Sequence, residues 1–280
     1  MAAHDADAGR NQPDGFPLRA DDKWALITGA SSGIGRALAY AFAARGYNLL
    51  LTARNEPLLG QVAADCSAKF SVAAEIHPAD LSDSGAVDGL IGALSGSPRR
   101  FEILVNNAGF GVYGEFRSTP IDRELSLVSL QIDATLRLTK ALLPGMLSRR
   151  SGRILNVASL YSFAPVPFQS IYAASKSFML SWALALSEEL RGTGVSVTLL
   201  CPGITQTEFR SRAGIADMSR TAGVSAEVMA EIAARETLKG SLLVVPGFFN
   251  KLFVFLARRL PLPIVLWCVR LINRKRGVHD

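Results

Sequence analysis

The stretch KWALITGASSGIG, residues 23–35, joins a strand-like apolar run to a glycine-rich turn and the beginning of a helix. Residues 24–27 are all apolar, which is typical of a strand that is covered on both faces. Gly29, Gly33 and Gly35 permit a tight turn, close approach of the backbone to a phosphate, and close packing of the helix on the strand. Because the exposed N–H groups of a helix N-terminus attract anions, the stretch predicts a phosphate-binding turn. A glycine-rich turn without a ligand is the alternative.

The same alternation of strand and helix continues to about residue 245. The predicted strands cover residues 23–28, 47–53, 71–78, 101–109, 152–159, 194–203 and 241–247. The predicted helices cover residues 34–45, 56–69, 84–94, 121–150, 172–191 and 226–238. This pattern predicts an α/β fold in a single domain, a Rossmann-type doubly wound parallel sheet of about seven strands with helices on both faces. Ligands of such sheets bind at the carboxyl ends of the strands.

The composition fits one folded unit with a large core. The chain has 280 residues, of which 49% are hydrophobic and 19% are charged, and no long polar linker divides it. The three cysteines lie far apart, so they predict neither a disulfide framework nor a metal site and fit a reducing cytosol. The three histidines are also scattered, and no metal is expected.

The two ends of the chain differ from its middle. Residues 1–22 are polar and lack the apolar segment of a secretory signal, so a disordered lead is expected before the α/β domain at residues 23–247. The last thirty residues carry seven basic side chains against one acidic side chain, whereas the rest of the chain is neutral overall. The positive charge therefore belongs to an extension at residues 248–280, and no nucleic-acid partner is expected.

The extension alternates short apolar runs with basic residues. Arg258, Arg259, Pro261 and Pro263 interrupt it, so it lacks the run of about 18 apolar residues that a membrane-spanning helix needs. Two short helices of this composition fit peripheral binding to an anionic membrane, with Trp267 at headgroup level. Packing over a substrate pocket or in an oligomer interface is the alternative, and both stay open.

Three motifs together carry a family resemblance. The spacing Gly-x-x-x-Gly-x-Gly at residues 29–35, the sequence NNAG at residues 106–109, and the pair Tyr172-x-x-x-Lys176 resemble the short-chain dehydrogenase/reductase family over about residues 23–245. The resemblance implies an oxidoreductase that transfers a hydride between a nicotinamide cofactor and a carbonyl or alcohol. It also implies a cytoplasmic homodimer or homotetramer, with peripheral membrane contact through the extension left open.

The resemblance assigns the catalytic roles. Ser159 ends the predicted fifth strand thirteen residues before Tyr172, and Tyr172 and Lys176 share one helix face. By resemblance, Tyr172 is the acid/base, Ser159 binds the carbonyl oxygen, and Lys176 holds the nicotinamide ribose. A lysine cation and an oxidised nicotinamide both favour the phenolate, so the pKa of Tyr172 is expected to fall below about 10. A tyrosine and lysine at this spacing, without the other motifs, would predict only a helix face.

One position departs from the family pattern. The asparagine that often completes the proton relay would fall on Gln131, and residues 121–150 contain no asparagine. Glutamine keeps the amide but is one methylene longer, so an altered proton relay from Lys176 to solvent is expected. If the relay matters, Gln131→Asn is expected to preserve or raise turnover.

The end of the second predicted strand indicates the cofactor. Enzymes that select NAD place an acidic residue here for the ribose 2′-hydroxyl, whereas a 2′-phosphate calls for a cation. This chain has Ala53 and Arg54, and the next acidic residue is Glu56, so NADP(H) is expected, with a solvated surface arginine as the alternative. By resemblance, the cofactor-binding residues are Gly29, Ser31, Ser32, Gly33, Ile34, Gly35, Arg54, Asp80, Leu81, Asn107, Ala108, Gly109, Tyr172, Lys176, Pro202, Gly203, Ile204 and Thr207. Asp80 would bond the adenine amino group, cap a helix, or do both.

The substrate side is less specific in sequence. Residues 208–224 correspond to a mobile lid in relatives. Eight apolar residues are expected either to form a pocket for a hydrophobic carbonyl or alcohol or to be ordinary packing: Phe110, Val112, Tyr113, Phe163, Pro165, Val166, Phe168 and Phe209. Tyr161 and Ser162 are expected in the loop on the same side. A catalytically silent cofactor-binding sensor and a sugar-nucleotide epimerase remain alternative functions.

Overall fold

The computed structural model describes residues 23–207, 209, 213 and 223–274, with the backbone alone for residues 272–274. The predicted lead at residues 1–22 and most of the predicted lid lie outside the described residues. Strands and helices alternate along the described chain as the sequence predicts.

The core of the fold is a seven-stranded parallel sheet in the order β3-β2-β1-β4-β5-β6-β9. Its strands are β1 (Lys23–Thr28), β2 (Asn48–Thr52), β3 (Ala74–Ile76), β4 (Arg100–Asn106), β5 (Gly152–Val157), β6 (Val195–Leu200) and β9 (Leu243–Val244). A separate two-stranded ribbon pairs β7 (Thr205–Gln206) with β8 (Val224–Ser225). The strand order reverses between β1 and β4, and the crevice at such a switch point is where doubly wound sheets bind ligands.

Helices cover both faces of the sheet, which confirms the predicted fold class. They are α1 (Gly33–Ala43), α2 (Glu56–Phe70), α3 (Ser84–Ser95), α4 (Ile121–Val128), α5 (Ala134–Ser148), α6 (Ser170–Glu189), α7 (Ala226–Lys239), α8 (Phe248–Arg259) and α9 (Leu262–Arg274). On one face, α1, α2 and α7 bury Phe42, Leu59 and Met229 against the sheet. On the other face, α3, α5 and α6 bury Leu90 and Leu138 with their neighbours. Apolar burial on both faces explains why the strands are almost continuously hydrophobic.

Two elements differ in detail from the sequence prediction. The predicted helix at residues 121–150 contains a π-helical turn, Ser129–Asp133, between α4 and α5. A single π turn adds one residue to the helical period, and such turns often lie at functional sites. Strand β3 is shorter than predicted because Ser71 ends α2 in the left-handed conformation, with φ 56°, and cannot begin a strand there.

The C-terminal helices pack against the loop after β5 and against α6. Val265 and Val269 of α9 are buried together with Ala164, Val166 and Ala173. The helices α8 and α9 are therefore part of the folded body, as the packing alternative expects. Neither α8 nor α9, nor any other helix of the described chain, has the length and hydropathy that crossing a bilayer requires.

Candidate active site

A large cavity opens at the carboxyl ends of the central strands, where the strand order reverses. Its volume is about 1230 Å³, more than the roughly 300–1,000 Å³ typical of a site for one small molecule. One end is formed by the glycine-rich turn after β1 and the end of β2, and the other by Ser159, Tyr172 and Phe253. The cavity therefore has the extent that a dinucleotide and a second ligand require together.

The glycines of the first turn are required by the backbone geometry. Gly29 has φ +66°, and a Cβ there would lie 2.9 Å from the Cα of Ala108. A Cβ on Gly35 would lie 2.2 Å from the carbonyl oxygen of Gly29, so α1 begins against the turn itself. These contacts leave the backbone amides at the beginning of α1 next to the cavity, which is the arrangement that binds a phosphate. The turn thus fits the phosphates of a dinucleotide.

Thr28 and Asn107 hold this turn to the neighbouring strand, a connection that the sequence analysis missed. The Thr28 Oγ1 atom donates to the carbonyl of Val105 and accepts from the amides of Asn107 and Ala108, both at 2.9 Å. The Asn107 amide nitrogen donates to the carbonyls of Thr28 at 2.9 Å and Gly29 at 3.3 Å. Asn107 thus braces the turn as well as lining the cavity.

All the predicted cofactor-binding residues except Gly35 line the cavity. They are Gly29, Ser31, Ser32, Gly33, Ile34, Arg54, Asp80, Leu81, Asn107, Ala108, Gly109, Tyr172, Lys176, Pro202, Gly203, Ile204 and Thr207. Gly35 lies behind the turn, where its contact is with Gly29. The cavity wall also contains Asn55 and Ser82, which the sequence analysis did not select because neither belongs to a motif.

Arg54 and Asp80 stand together at the β2 end of the cavity. Their side chains are 3.7 Å apart, and that of Arg54 is 70% exposed. The Asp80 carboxylate accepts hydrogen bonds from the amide and hydroxyl of Ser82. Although burial raises it, these bonds and Arg54 hold the pKa of Asp80 below its ordinary value. An exposed cation thus lies beside an ionised carboxylate. The cation can bind a phosphate monoester and the carboxylate can accept a hydrogen bond from an amine, so the pair fits a ligand that carries both groups.

Ser159, Tyr172 and Lys176 meet at the other end of the cavity. Ser159 follows β5 and begins a 3-10 turn, Leu160–Phe163, by accepting a hydrogen bond from the amide of Tyr161. Tyr172 lies in the first turn of α6, and Lys176 one turn later donates from Nζ to the carbonyl of Val157 at 3.0 Å. The Lys176 ammonium is 5.7 Å from the centre of the Tyr172 ring.

Burial determines the pKa values of Tyr172 and Lys176. Burial raises the pKa of Tyr172, and a hydrogen bond with Ser159 opposes the rise. Burial lowers the pKa of Lys176 to about 7. The sequence predicted a lowered pKa for Tyr172 from Lys176 and an oxidised nicotinamide, but in the chain alone the shift has the opposite direction. Desolvation raises the pKa of the phenol by more than the hydrogen bond with Ser159 lowers it.

Gln131 lies in the π turn and is almost fully buried, at 1% exposure. Its amide nitrogen donates to the carbonyl of Phe110 at 2.7 Å, and its oxygen accepts from the Ser175 hydroxyl at 3.3 Å. These bonds connect the loop after β4 to α6, one residue before Lys176. The structure therefore gives Gln131 a bracing contact, and its part in a proton relay stays a prediction.

The predicted apolar pocket divides into two sets. Phe110 and Phe209 line the cavity. The other six predicted residues do not line it: Val112, Tyr113, Phe163, Pro165, Val166 and Phe168. Tyr113 stacks on Phe168, and Val166 packs under α9. Sequence could not place the four of these residues that lie between 160 and 168, because that segment is loop and 3-10 backbone without a regular inward face.

The C-terminal extension supplies cavity residues that the sequence analysis did not select. Asn250, Phe253 and Val269 line the cavity from α8 and α9. A Cβ on Gly203 would lie 2.6 Å from the Asn250 amide nitrogen, so α8 begins directly against the loop after β6. Tyr161, expected on this side, lines the cavity and packs edge-on against Tyr172. Ser162 is buried beneath the loop.

Comparison with known proteins agrees with this geometry. A family model described as short chain dehydrogenase matches residues 23–216. A very-long-chain 3-oxoacyl-CoA reductase of Phaeosphaeria nodorum is 39% identical over 183 residues, which cover 62% of this chain and 52% of that protein. The chain spans about half the length of this relative and of its counterparts in Laccaria bicolor and Pyrenophora tritici-repentis.

Two solved structures are similar over most of the chain. A short-chain dehydrogenase from Sphingobium yanoikuyae in complex with NADPH is 31% identical, with a TM-score of 0.77 covering 85% of this chain and 96% of that chain. A bulky-bulky ketone specific alcohol dehydrogenase from Comamonas testosteroni is 28% identical, with a TM-score of 0.73 covering 92% and 96%. Because the family model also matches well over half of the sequence, this chain belongs to the short-chain dehydrogenase family of oxidoreductases.

Proposed function

We propose that this protein is an NADP(H)-dependent oxidoreductase that transfers a hydride between the nicotinamide and a hydrophobic carbonyl or alcohol. The observation that carries the proposal is the convergence of Ser159, Tyr172 and Lys176 on one cavity that begins at a glycine-rich turn. A nicotinamide cofactor, when bound, supplies or accepts the hydride. The chain itself has to bind the reactants, hold the carbonyl oxygen and move one proton.

NADP(H) is favoured over NAD(H) by the charge at the end of β2. Arg54 extends beside the cavity where an NAD-selecting protein would place a carboxylate. A guanidinium is always charged and forms paired hydrogen bonds with phosphate oxygens. The similar structure from Sphingobium yanoikuyae, in complex with NADPH, supports the same preference.

The proton is assigned to Tyr172. Its raised pKa keeps the phenol protonated at neutral pH, which is the form that donates a proton to a carbonyl oxygen during reduction. Ser159 lies within hydrogen-bonding reach of Tyr172, so both hydroxyl groups can hold the same oxygen. Lys176, whose pKa burial lowers to about 7, is poised to carry or release a proton behind the phenol.

The substrate is proposed to be a ketone with bulky apolar substituents, or the matching alcohol. Phe110, Leu160, Phe209, Phe253 and Val269 surround the Tyr172 end of the cavity. Two similar proteins are named for a very-long-chain 3-oxoacyl-CoA and for bulky ketones. Long-chain 3-oxoacyl thioesters and bulky ketones are therefore the first substrate classes to test.

The test is an assay of NADPH oxidation with a panel of hydrophobic ketones, aldehydes and 3-oxoacyl thioesters. The readout is the loss of NADPH absorbance. Wild-type protein should turn over at least one class, and Tyr172→Phe should not. A protein that binds NADPH but turns over no carbonyl compound or alcohol would instead be a catalytically silent cofactor-binding sensor.

We propose a homodimer or homotetramer in the cytoplasm, with a catalytic domain at residues 23–247 and the extension packed on it. Light scattering coupled to size-exclusion chromatography tests the assembly, and a monomer at all concentrations would contradict it.

A further inference from the structure

The outer face of α8 and α9 is apolar and exposed. Of the nineteen large hydrophobic side chains that are exposed in the described residues, ten lie on these two helices and the short segment between them. They are Phe248, Phe249, Leu252, Phe255, Leu256, Leu260, Leu262, Ile264, Trp267 and Leu271. Soluble proteins scatter such residues singly, so a concentration of this kind marks a surface that binds something. We refer to these ten residues as the outer face.

The exposure follows the helical period, which indicates an amphipathic helix with a distinct inner and outer side. In α8, Asn250, Phe253, Val254 and Ala257 point inward, at spacings of three and four residues. Phe248 and Phe249, at 75% and 82% exposure, begin the opposite side. The inner side is already occupied by the cavity and the α6 surface, so the outer face needs a different partner.

The charges on the two helices indicate which partner. Residues 248–274 contain five basic side chains, Lys251, Arg258, Arg259, Arg270 and Arg274, and no acidic one. A second copy of the chain would bring the same face against itself in a two-fold interface, so cations would face cations. An anionic lipid surface complements both properties, since it accepts apolar side chains between headgroups and attracts lysine and arginine.

We propose that α8 and α9 dock on the surface of an anionic phospholipid bilayer through the outer face. Phe248, Phe249 and Trp267 enter the interfacial region, and the basic side chains lie at the level of the headgroups. The helices are 12 and 13 residues long, well short of a span, so they lie along the surface.

The same helices form one wall of the cavity. Phe253 and Val269 line it from their inner side, so a docked protein holds the Tyr172 end of the cavity next to the bilayer. A hydrophobic substrate that partitions into the bilayer is then concentrated near the cavity. This consequence rests on the proposed function, whereas docking itself does not.

The experiment is flotation of the full chain with vesicles in a density gradient, which separates bound protein from aggregates. The vesicles are phosphatidylcholine alone or phosphatidylcholine mixed with phosphatidylserine. Wild type should float with the mixed vesicles and much less with the neutral ones. Each basic residue near an anionic surface is worth about fivefold in partitioning, so Arg258→Gln with Arg259→Gln should lower binding to mixed vesicles about thirtyfold.

The aromatic anchor is tested by Phe248→Ser with Phe249→Ser, which should lower binding to mixed vesicles about tenfold for each side chain removed. Phe116→Ser is the matched control, because Phe116 is 61% exposed but lies outside the two helices, and it should float like wild type. Deleting the extension is unsuitable, since the deletion would uncover Ala164, Val166 and Ala173.

Flotation needs neither NADPH nor turnover, so its result stands apart from the proposed function. Wild type that stays at the bottom with both vesicle types would overturn the proposal. Flotation of both double variants at the wild-type level would also overturn the proposal. If the phenylalanine variant instead splits a soluble dimer and no form floats, the outer face is an interface between copies, and the proposal is wrong.

Discussion

The cofactor preference provides a quantitative prediction at Arg54. In the structure its side chain is 70% exposed and its ion pair with Asp80 spans 3.7 Å, so the guanidinium is not committed to a buried contact. A hydrogen bond to a charged group contributes about 1.5–3 kcal/mol, and solvent screening places an exposed arginine at the lower end. Arg54→Ala should therefore lower kcat/KM for NADPH about tenfold to thirtyfold.

The same variant should change kcat/KM for NADH by less than about twofold, because NADH has no phosphate monoester for a charge-assisted bond. Arg54→Asp should widen the difference by repelling the phosphate. The assay is initial-rate kinetics with both cofactors at a fixed substrate concentration. Arg191→Ala is the matched control, since Arg191 is 77% exposed and pairs with Glu188 outside the cavity. Equal losses with NADPH and NADH in Arg54→Ala would refute the assignment.

Three further predictions follow from packing and burial. Burial lowers the pKa of Lys176 from 10.5 to about 7, so between these pH values the unfolded chain binds more protons than the native chain, and the contribution of Lys176 to stability rises with pH. Lys176→Met should flatten this rise in urea titrations between about pH 7 and pH 9, and an unchanged slope would contradict the shift. Gly35→Ala places a Cβ 2.2 Å from the Gly29 carbonyl oxygen and should lower the free energy of unfolding by about 1–3 kcal/mol or more. Gly89→Ala, with open space around it in α3, should be neutral or stabilising. Gln131→Asn shortens a buried amide that makes two hydrogen bonds, so the free energy of unfolding should fall by about 1–3 kcal/mol. Retained turnover beside that loss would favour the relay.

The fold was largely predictable because its signals are local and repeated. Strands buried on both faces are recognisable as apolar runs, and the glycines of the first turn occur where a Cβ has no room. The π turn around Gln131 was not predictable, since one additional residue leaves the apolar pattern of a long helix almost unchanged.

The site was predictable where motifs stand at strand ends and less so elsewhere. Ser159, Tyr172 and Lys176 converge because α6 follows β5 closely. The contributions of Asn250 and Phe253 depend on how α8 folds back over the cavity, which is a tertiary property without a local pattern. The sequence predicted a lowered pKa for Tyr172 from Lys176 and an oxidised nicotinamide, whereas burial in the chain alone raises it. Charged neighbours are visible in a sequence, but desolvation is not.

The central claim is that Tyr172 transfers the proton and that most of the cofactor's binding energy comes from the other residues of the cavity. Its most direct test is Tyr172→Phe, measured for NADPH binding by fluorescence titration and for carbonyl reduction by NADPH oxidation. The account predicts a dissociation constant within about twofold of wild type and a rate lower by about a hundredfold to ten-thousandfold, the usual contribution of a positioned acid. Full activity in this variant would contradict the account.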